Sequence, residues 1–320
     1  MAKIGIILAT YNGEKYLTQM LDSLVAQTRT ADFIVAVDDG SKDSTPEILK
    51  SYQDRLPLQV TCLPQNTGHR AAFSKALELA QPQLTDNDLI ALADQDDIWL
   101  PQKLELLEKN IESEYSNGTK PSLVFGDAQV IDSEGKVIAE SWRNHSKIEK
   151  KISIEHQIAG INNVTGCLSL FRATLLKTIL PIPEGVTVHD RWIAIIADKQ
   201  DGIASIDTSI VQYRIHGNNA VGGVAAPSMS KTLDTQIQWI QTILDNAEKL
   251  KLVPREIRFA QKLLGLAKAR LSHAFLPIHL PWIARHRGEL FLKDSAAVTM
   301  KRILFTAVGL PLARKIWKKS

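Results

Sequence analysis

Only two cysteines, Cys62 and Cys167, occur in the 320-residue chain. They stand far apart inside apolar runs, so neither a disulfide framework nor a metal knuckle can be built from them. Such cysteine usage fits a reducing compartment. No run of 18 apolar residues is present, which argues against a spanning helix. The apolar stretch Ile4 to Ala9 is too short for a signal-peptide core and no small-residue cleavage site follows it, so a cytoplasmic location is expected. Internal repeats are absent. Charge of one sign is also scarce, and a formal net charge of +3 is too small to call for nucleic acid as a partner. What remains, at 44% hydrophobic and 23% charged, is ordinary globular composition, which excludes disorder, collagen and coiled coil as the main state.

The charge that is present is unevenly placed. From Arg285 to Ser320 there are nine Lys or Arg against two acids, Glu289 and Asp294, a local +7 that leaves −4 on the preceding 284 residues. An acidic body with a basic tail follows.

Lys3 to Ala9, Phe33 to Val37 and Leu89 to Ala93 are nearly continuous branched apolar runs, the pattern of parallel strands covered on both faces. Helical periods lie between them: Leu17, Leu21, Leu24 and Val25, then Ile48 and Leu49 behind Thr45-Pro46, then Phe73, Ala76, Leu77 and Leu79. This alternation predicts an α/β doubly wound sheet. Leu123 to Gly126 and Cys167 to Phe171 read as further strands, Gln129 to Ala139 as a hairpin, and Arg191 to Ala197 as a buried helix. A catalytic domain over 1–222 is expected, its nucleotide half ending near residue 100. A helical region over 230–320 follows the small, flexible stretch Val221 to Ser230.

Ligands of doubly wound sheets bind beyond the carboxyl ends of the strands, and the polar clusters fall at those ends. Thr10-Tyr11-Asn12-Gly13 follows the first strand, Asp38-Asp39-Gly40-Ser41 the second, and Asp94-Gln95-Asp96-Asp97 a later one. Carboxylates as crowded as the last three repel one another unless a cation neutralises them, and hard oxygen ligands suit Mg2+ or Mn2+. The alternative is an acidic helix N-terminus, because a helix is expected to start at Pro101. Asp39 could hold a base or ribose, or form an Asx turn. Arg70, opening a helix after Asn66-Thr67-Gly68, could reach a ring edge or phosphate, or be a solvated helix residue. Asp190, in His189-Asp190-Arg191-Trp192, could cap a helix or act as a general base. His216, in Tyr213 to Asn219, is a candidate metal ligand or a surface histidine.

Taken in order, Thr10-Tyr11-Asn12, Asp38-Asp39-Gly40-Ser41, Asn66-Thr67-Gly68, Asp94 to Asp97, Thr165-Gly166-Cys167 and His189-Asp190 resemble glycosyltransferase family two, which has the GT-A fold. The resemblance spans roughly residues 3 to 220. DQDDIWL from Asp94, the His-Asp pair with its tryptophan, and YRIHGNN from Tyr213 look like the bacterial rhamnosyltransferase branch. Arg191 departs from the branch, which often has Trp directly after His-Asp.

The resemblance implies an inverting, metal-dependent transferase acting on a nucleotide-diphosphate sugar, dTDP-L-rhamnose or a UDP-hexose, in surface polysaccharide synthesis. It implies that Asp39 accepts from the N3 hydrogen of uracil or thymine, with Thr10, Tyr11 and Arg70 around the nucleoside. By the same resemblance Asp96 binds Mn2+ or Mg2+, with His216 in support, and Asp94 faces the ribose or donor sugar. Asp97, His189 and Trp192 fall toward the sugar or acceptor, and Asp190 is the base.

Two rivals remain at this stage. A nucleotidyltransferase would show a Gly-rich basic phosphate loop near the first strand, which Thr10-Tyr11-Asn12-Gly13 is not. A silent nucleotide-sugar binding module would not need Asp96 and Asp190. In the tail, Ile303 to Ala313 is apolar, flanked by Lys301-Arg302 and Arg314-Lys315, and too short to span. It either packs on the body or lies peripherally on the inner face of a membrane, where a glycan or lipid-linked acceptor would be met. The oligomeric state is not legible.

Overall fold

The branched runs become strands and the periodic stretches between them become helices. In the computed structural model, which describes residues 2–114, 118–217, 228–292 and 295–316, the strands are β1 (Ile4–Thr10), β2 (Phe33–Asp38), β3 (Leu58–Cys62), β4 (Leu89–Asp94), β5 (Ile98–Trp99), β6 (Leu123–Ile131), β7 (Val137–Ala139), β8 (Ser169–Arg172) and β9 (Ile203–Arg214). Helices α1 (Glu14–Val25), α2 (Thr45–Ser51), α3 (His69–Ala80) and α4 (Lys103–Ile111) connect the first six strands. They are followed by α5 (Trp142–Ser146), α6 (Ile154–Ile158), α7 (Leu176–Ile179) and α8 (His189–Gln200). The last helices are α9 (Met229–Asp245), α10 (Pro254–Ser272), α11 (Leu280–Arg285), α12 (Arg287–Leu290), α13 (Ala296–Thr306) and α14 (Leu310–Ile316).

The chain divides into two units. The first comprises Met1–Lys150, Val164–Ile182 and Val188–Val224, and the second comprises Lys151–Asn163, Pro183–Thr187 and Ala225–Ser320. Two short segments that the sequence reading placed in the catalytic domain thus belong to the second unit. Most of the expected linker, residues 221–227, lies outside the described residues.

In the first unit all nine strands form one sheet, ordered β3-β2-β1-β4-β8-β6-β9-β5, with β7 beside β6. β3, β2, β1 and β4 run parallel. β8 is antiparallel to both β4 and β6, and β9 runs parallel to β6. Because successive side chains face opposite sides of a strand, β1 divides its residues between two layers. Ile4, Ile6 and Leu8 share a core with Leu17, Met20, Leu21 and Leu24 of α1 and with Leu104, Leu107 and Ile111 of α4. Ile7, Val35 and Val37 are equally buried but lie outside that core, and α3, which packs on β1 and β2, buries Phe73, Ala76 and Leu77. β1 sits between β2 and β4, so the chain leaves it in opposite directions and the crevice opens at its carboxyl end.

One sequence expectation is corrected. No helix starts at Pro101: Ile98 and Trp99 first pair with Gln212 and Val211 of β9, and α4 begins at Lys103. The strand before His216, β9, runs for 12 residues.

In the second unit Trp239 of α9 donates its indole N–H to the Gln157 carbonyl at 3.1 Å. The buried stripe of α10 includes Phe259, Leu263, Leu266 and Ala267. Gly185 lies so close to Thr242 that a Cβ there would overlap the Thr242 hydroxyl. Residues 274–276 hydrogen-bond to 307–309, which ties the connection after α10 to the end of α13. Among the described residues no helix is long and apolar enough to cross a membrane.

Gly5 pairs with Phe33, whose ring fills the space a side chain on Gly5 would need. Gly5→Val should therefore destabilise the protein by about 1–3 kcal/mol through overpacking, roughly 3–10 °C in Tm for a unit of this size. An unchanged melting curve would show that Phe33 can swing aside.

Candidate active site

Four loops leave the carboxyl edge of β1, β2, β3 and β4, and side chains of the predicted motifs tie them together. Asp38, at the end of β2, accepts from the Thr10 hydroxyl (2.9 Å), from the backbone N–H of Ser41 (2.9 Å) and from the Ser41 hydroxyl. Asn12 takes a left-handed φ of 46°, which Asn tolerates better than most residues, and its side-chain carbonyl accepts from the Lys42 N–H. Asp39 is buried, and its two oxygens accept from the Thr67 N–H and hydroxyl and from the Gly68 N–H, all within 2.8 Å. The Asx-turn alternative thus describes Asp38, while Asp39 fastens the β3–α3 loop. Gln95 clamps the first loop to the fourth, accepting from the Tyr11 N–H (2.8 Å) and donating to the Tyr11 carbonyl (3.0 Å). Tyr11 presents an exposed ring, and Arg70 donates to the Ile182 carbonyl at 3.0 Å.

The acidic loop is crowded in the way its sequence demands. Burial, and then the charge of Asp94, raise the Asp96 carboxyl above its usual range. Burial, with Asp96 and Asp94 behind it, raises Asp97 well above its own. Three nitrogen-bearing side chains answer this. His216 Nε2 lies 2.8 Å from Asp96 Oδ2. Arg214 gives its backbone N–H to Asp97 (3.0 Å) and its Nε to the Asp96 carbonyl (2.9 Å), and stacks 4.5 Å over the Tyr16 ring. Lys103 lies beneath the loop with no exposed surface, donating to the Cys167 carbonyl at 2.6 Å and standing 3.0 Å from the Trp99 ring centre. Burial lowers its pKa to about 7, against the pull of the nearby acids Asp97 and Asp94.

On the other side of the crevice, α8 presents Asp190 in its first turn. Asp190 Oδ2 accepts from the Gly166 N–H at 3.3 Å, and burial raises its carboxyl to about 6 despite Arg191, that hydrogen bond and His69. His189 is packed inward, stacked on Phe73 at 4.0 Å, with His69 at 4.8 Å. Neither ring nitrogen of His189 has a partner, and a Cβ on Gly166 would come within 3.1 Å of its Nε2. Burial, then the charge of His69, lowers its pKa to about 3 and keeps it neutral. Burial alone would lower the pKa of His69 as well, but Asp94, 3.9 Å away, and the charges of Asp190 and Asp96 raise it. For Asp94 burial opposes ionisation, and the nearby His69 prevails and lowers its pKa.

The structure therefore brings Thr10, Tyr11, Asp39, Arg70, Asp94, Asp96, Asp190 and His216 to one edge of the sheet. It corrects the placement of Trp192 toward an acceptor or sugar: the indole is fully buried and donates to the Ile179 carbonyl at 3.0 Å. Asp97 is similarly enclosed, with 1% of its surface exposed. Three contributors, His69, Lys103 and Arg214, were not singled out from the sequence. Lys103 carried a signal, since it occupies the apolar stripe of α4 with Leu107 and Ile111 at intervals of four. His69 could have been found as the first helical residue after Asn66-Thr67-Gly68.

Asp96 Oδ2 and His216 Nε2, 2.8 Å apart, are an oxygen and a nitrogen donor of the kinds that bind divalent ions. Asp94, Asp97 and Cys167 also lie within 4.8 Å of one another. There, however, burial raises the Cys167 thiol well above its usual range, so it stays protonated, and Asp97 is enclosed.

The family model described as "Glycosyl transferase family 2" matches residues 5–180. An uncharacterized glycosyltransferase of a Nostoc species is 27% identical over 71% of this chain and 69% of its own length. An uncharacterized glycosyltransferase of Bacillus subtilis is 31% identical over 42% of this chain, and the match spans only 45% of that relative. The poly(ribitol-phosphate) beta-N-acetylglucosaminyltransferase TarS of Staphylococcus aureus is 33% identical over 37% of this chain and 20% of its own length. Among solved structures, TarS 1-349 in complex with UDP-GlcNAc superposes with a TM-score of 0.59 at 18% identity, covering 97% of this chain and 82% of that one. The mannosyltransferase PcManGT of Pyrobaculum calidifontis, in complex with GDP-Man and Mn2+, gives 0.52 at 18% identity, covering 99% and 88%.

The raised pKa of Asp190 makes a stability claim. A carboxyl near 6 in the folded state, against an ordinary 3.8, leaves the folded state unpenalised below about pH 4. The penalty grows between 4 and 6 and is complete above 6. Asp190→Asn, whose amide oxygen can still accept from Gly166, should stabilise the protein at pH 8 by about 1–3 kcal/mol and leave it nearly unchanged at pH 4. Denaturant unfolding at the two pH values measures this, and an equal effect at both would mean that Asp190 titrates normally.

Proposed function

This chain belongs to glycosyl transferase family 2, with residues 5–180 matching, and has the GT-A fold; from that premise we propose that it is an inverting transferase carrying a sugar from a nucleotide-diphosphate donor to a hydroxyl group of a glycan or lipid-linked acceptor. The observation that supports this reading is the meeting of two acidic elements far apart in sequence. Asp94 and Asp96 at the end of β4 and Asp190 at the start of α8 all act on His69. A donor diphosphate beside the first two would place its sugar within reach of the third.

In this reading Asp39, Thr10, Tyr11 and Arg70 bound the nucleoside and Asp94 faces the ribose or sugar. Asp190, ionised above about pH 6, takes the proton from the acceptor hydroxyl as that oxygen attacks the anomeric carbon. The new C–O bond forms on one face while the bond to the donor phosphate breaks on the other, which inverts the centre without a covalent sugar intermediate. Asp96 and His216 would hold Mn2+ or Mg2+, and a bound divalent ion supplies neutralising charge to the departing diphosphate. His189, neutral and stacked on Phe73, keeps the start of α8 in place and leaves the charge of Asp190 uncompensated by its neighbour.

The family match sets aside the nucleotidyltransferase reading. The silent binding module is distinguished by assay. As for the sugar, the sequence resemblance favours dTDP-L-rhamnose, while the names of TarS and PcManGT carry N-acetylglucosamine and mannose. Screening dTDP-rhamnose, UDP-GlcNAc and GDP-mannose by thermal shift with Mn2+ selects among them, because a ligand at 100 times its Kd stabilises by about 2.7 kcal/mol.

Asp190→Asn should keep donor affinity and lose transfer by roughly 100-fold or more, the scale of general-base catalysis. In the wild type kcat/KM should fall about tenfold per pH unit below about 6, since only the ionised carboxylate accepts the proton. Normal turnover in the variant would remove Asp190 from this role, and donor binding with no transfer to any acceptor by the wild type would favour the binding module.

A further inference from the structure

The second unit carries an apolar surface that transfer chemistry does not use. The tail was expected either to pack on the body or to lie on a membrane, and the structure divides the stretch between the two. Ile303, Ala307, Leu310 and Ala313 are buried. Val298, Met300, Leu304 and Phe305 of α13, in contrast, are exposed, Met300 to 57%. At 100° per residue these four fall on one side of the helix, with Lys301 among them and Arg302 at their edge, opposite the buried Ile303.

The apolar surface continues beyond α13. Phe275 bridges to Val308, and Leu276 donates to the Ala307 carbonyl. Phe275 is thereby held next to the C-terminal end of the same helix, and Ile278, three residues further on, is 84% exposed. Arg270 donates to the Phe305 and Val308 carbonyls, and its guanidinium lies 5.9 Å from the Phe305 ring centre. Exposed large apolar side chains thus occur on both joined segments, with Lys301 and Arg302 on α13, in a part of the sequence where residues 285–320 sum to +7.

We propose that this face, formed by α13 with Phe275 and Ile278, docks on an anionic lipid bilayer, the apolar side chains entering the headgroup boundary while Lys301, Arg302 and Arg270 meet lipid phosphates. An amphipathic helix with basic residues at its margin gains both apolar burial and attraction to anionic lipid. Lys301 and Arg302 on the same helix favour a negatively charged surface over a second copy of the same face, whose like charges would repel it. The inference concerns binding alone and does not rest on the transferase reading.

Cosedimentation of the full chain with vesicles of phosphatidylglycerol and phosphatidylcholine, against vesicles of phosphatidylcholine only, tests it. Binding to the anionic vesicles is expected, weakened by 0.5 M salt and absent from the neutral ones. Leu304→Ser with Phe305→Ser should lower the affinity roughly tenfold or more. Lys301→Gln with Arg302→Gln should lower it roughly thirtyfold, at about fivefold per basic residue. Val137→Ser with Ile138→Ser, which alters exposed residues of the first unit, should change nothing. Melting curves of the variants show whether the substituted surfaces leave the fold intact. No binding to anionic vesicles, or binding untouched by the α13 variants, would overturn the proposal. So would light scattering that shows a dimer dissociated by Leu304→Ser with Phe305→Ser, since the face would then join two copies.

Discussion

The crowding of Asp94, Asp96 and Asp97 at the end of a buried strand is the constraint to which the rest of the first unit answers. Asp96 and Asp97 are placed where burial and the neighbouring carboxylates both oppose ionisation, and Asp94 is ionised through His69, so the loop holds its shape only if positive groups and donors reach it from elsewhere. They come from three parts of the chain: His69 from α3, Lys103 from α4, and Arg214 and His216 from the end of β9 and the residues after it. This accounts for the length of β9. A shorter strand paired with β6 would stop before Arg214, and Asp97 would lose the N–H that holds it. It also gives the two-residue β5 a purpose, since pairing Ile98 and Trp99 with Val211 and Gln212 fixes the register between the acidic loop and its cations.

Lys103 shows how finely this balance is set. A lysine with no exposed surface is costly unless partnered, and here its partners are a carbonyl and the face of Trp99 rather than a direct carboxylate contact. Its lowered pKa of about 7 records that compromise, in which desolvation outweighs the attraction of the acids above. A metal arriving at Asp96 and His216 would add positive charge to the same small volume and weaken the hold of the loop on Lys103's proton.

Much of this was legible in the sequence where the signal is local. Continuous branched runs marked β1, β2 and β4, and the polar residues after them marked the crevice, because the side chains that close a turn adjoin it in the chain. Asp190 could be read for the same reason, as an acid in the first turn of a helix. What could not be read depends on partners distant in sequence. Ile98-Trp99 has no strand periodicity and pairs with residues more than 110 positions away. Trp192 was read by its motif as facing an acceptor, yet its position on α8 turns it to Ile179 and the core. Residues 151–163 and 183–187 look like parts of the catalytic domain until Trp239 is seen to donate to Gln157, and Thr242 to lie against Gly185.

The start of α8 shows how one physical cause can prepare two neighbouring residues for opposite tasks. Adjacent helical positions point in directions about 100° apart, so His189 turns into the stack with Phe73 and His69 while Asp190 turns toward Gly166 and the crevice. Burial disfavours charge on both, lowering the histidine to about 3 and raising the carboxyl to about 6. A charged histidine at that spot would pull the Asp190 pKa down and weaken it as a proton acceptor. The neutral ring gives it shape without charge. Asp190 is thereby held by its own burial at a pKa of about 6, ionised above it, and the neutral ring beside it leaves that balance undisturbed.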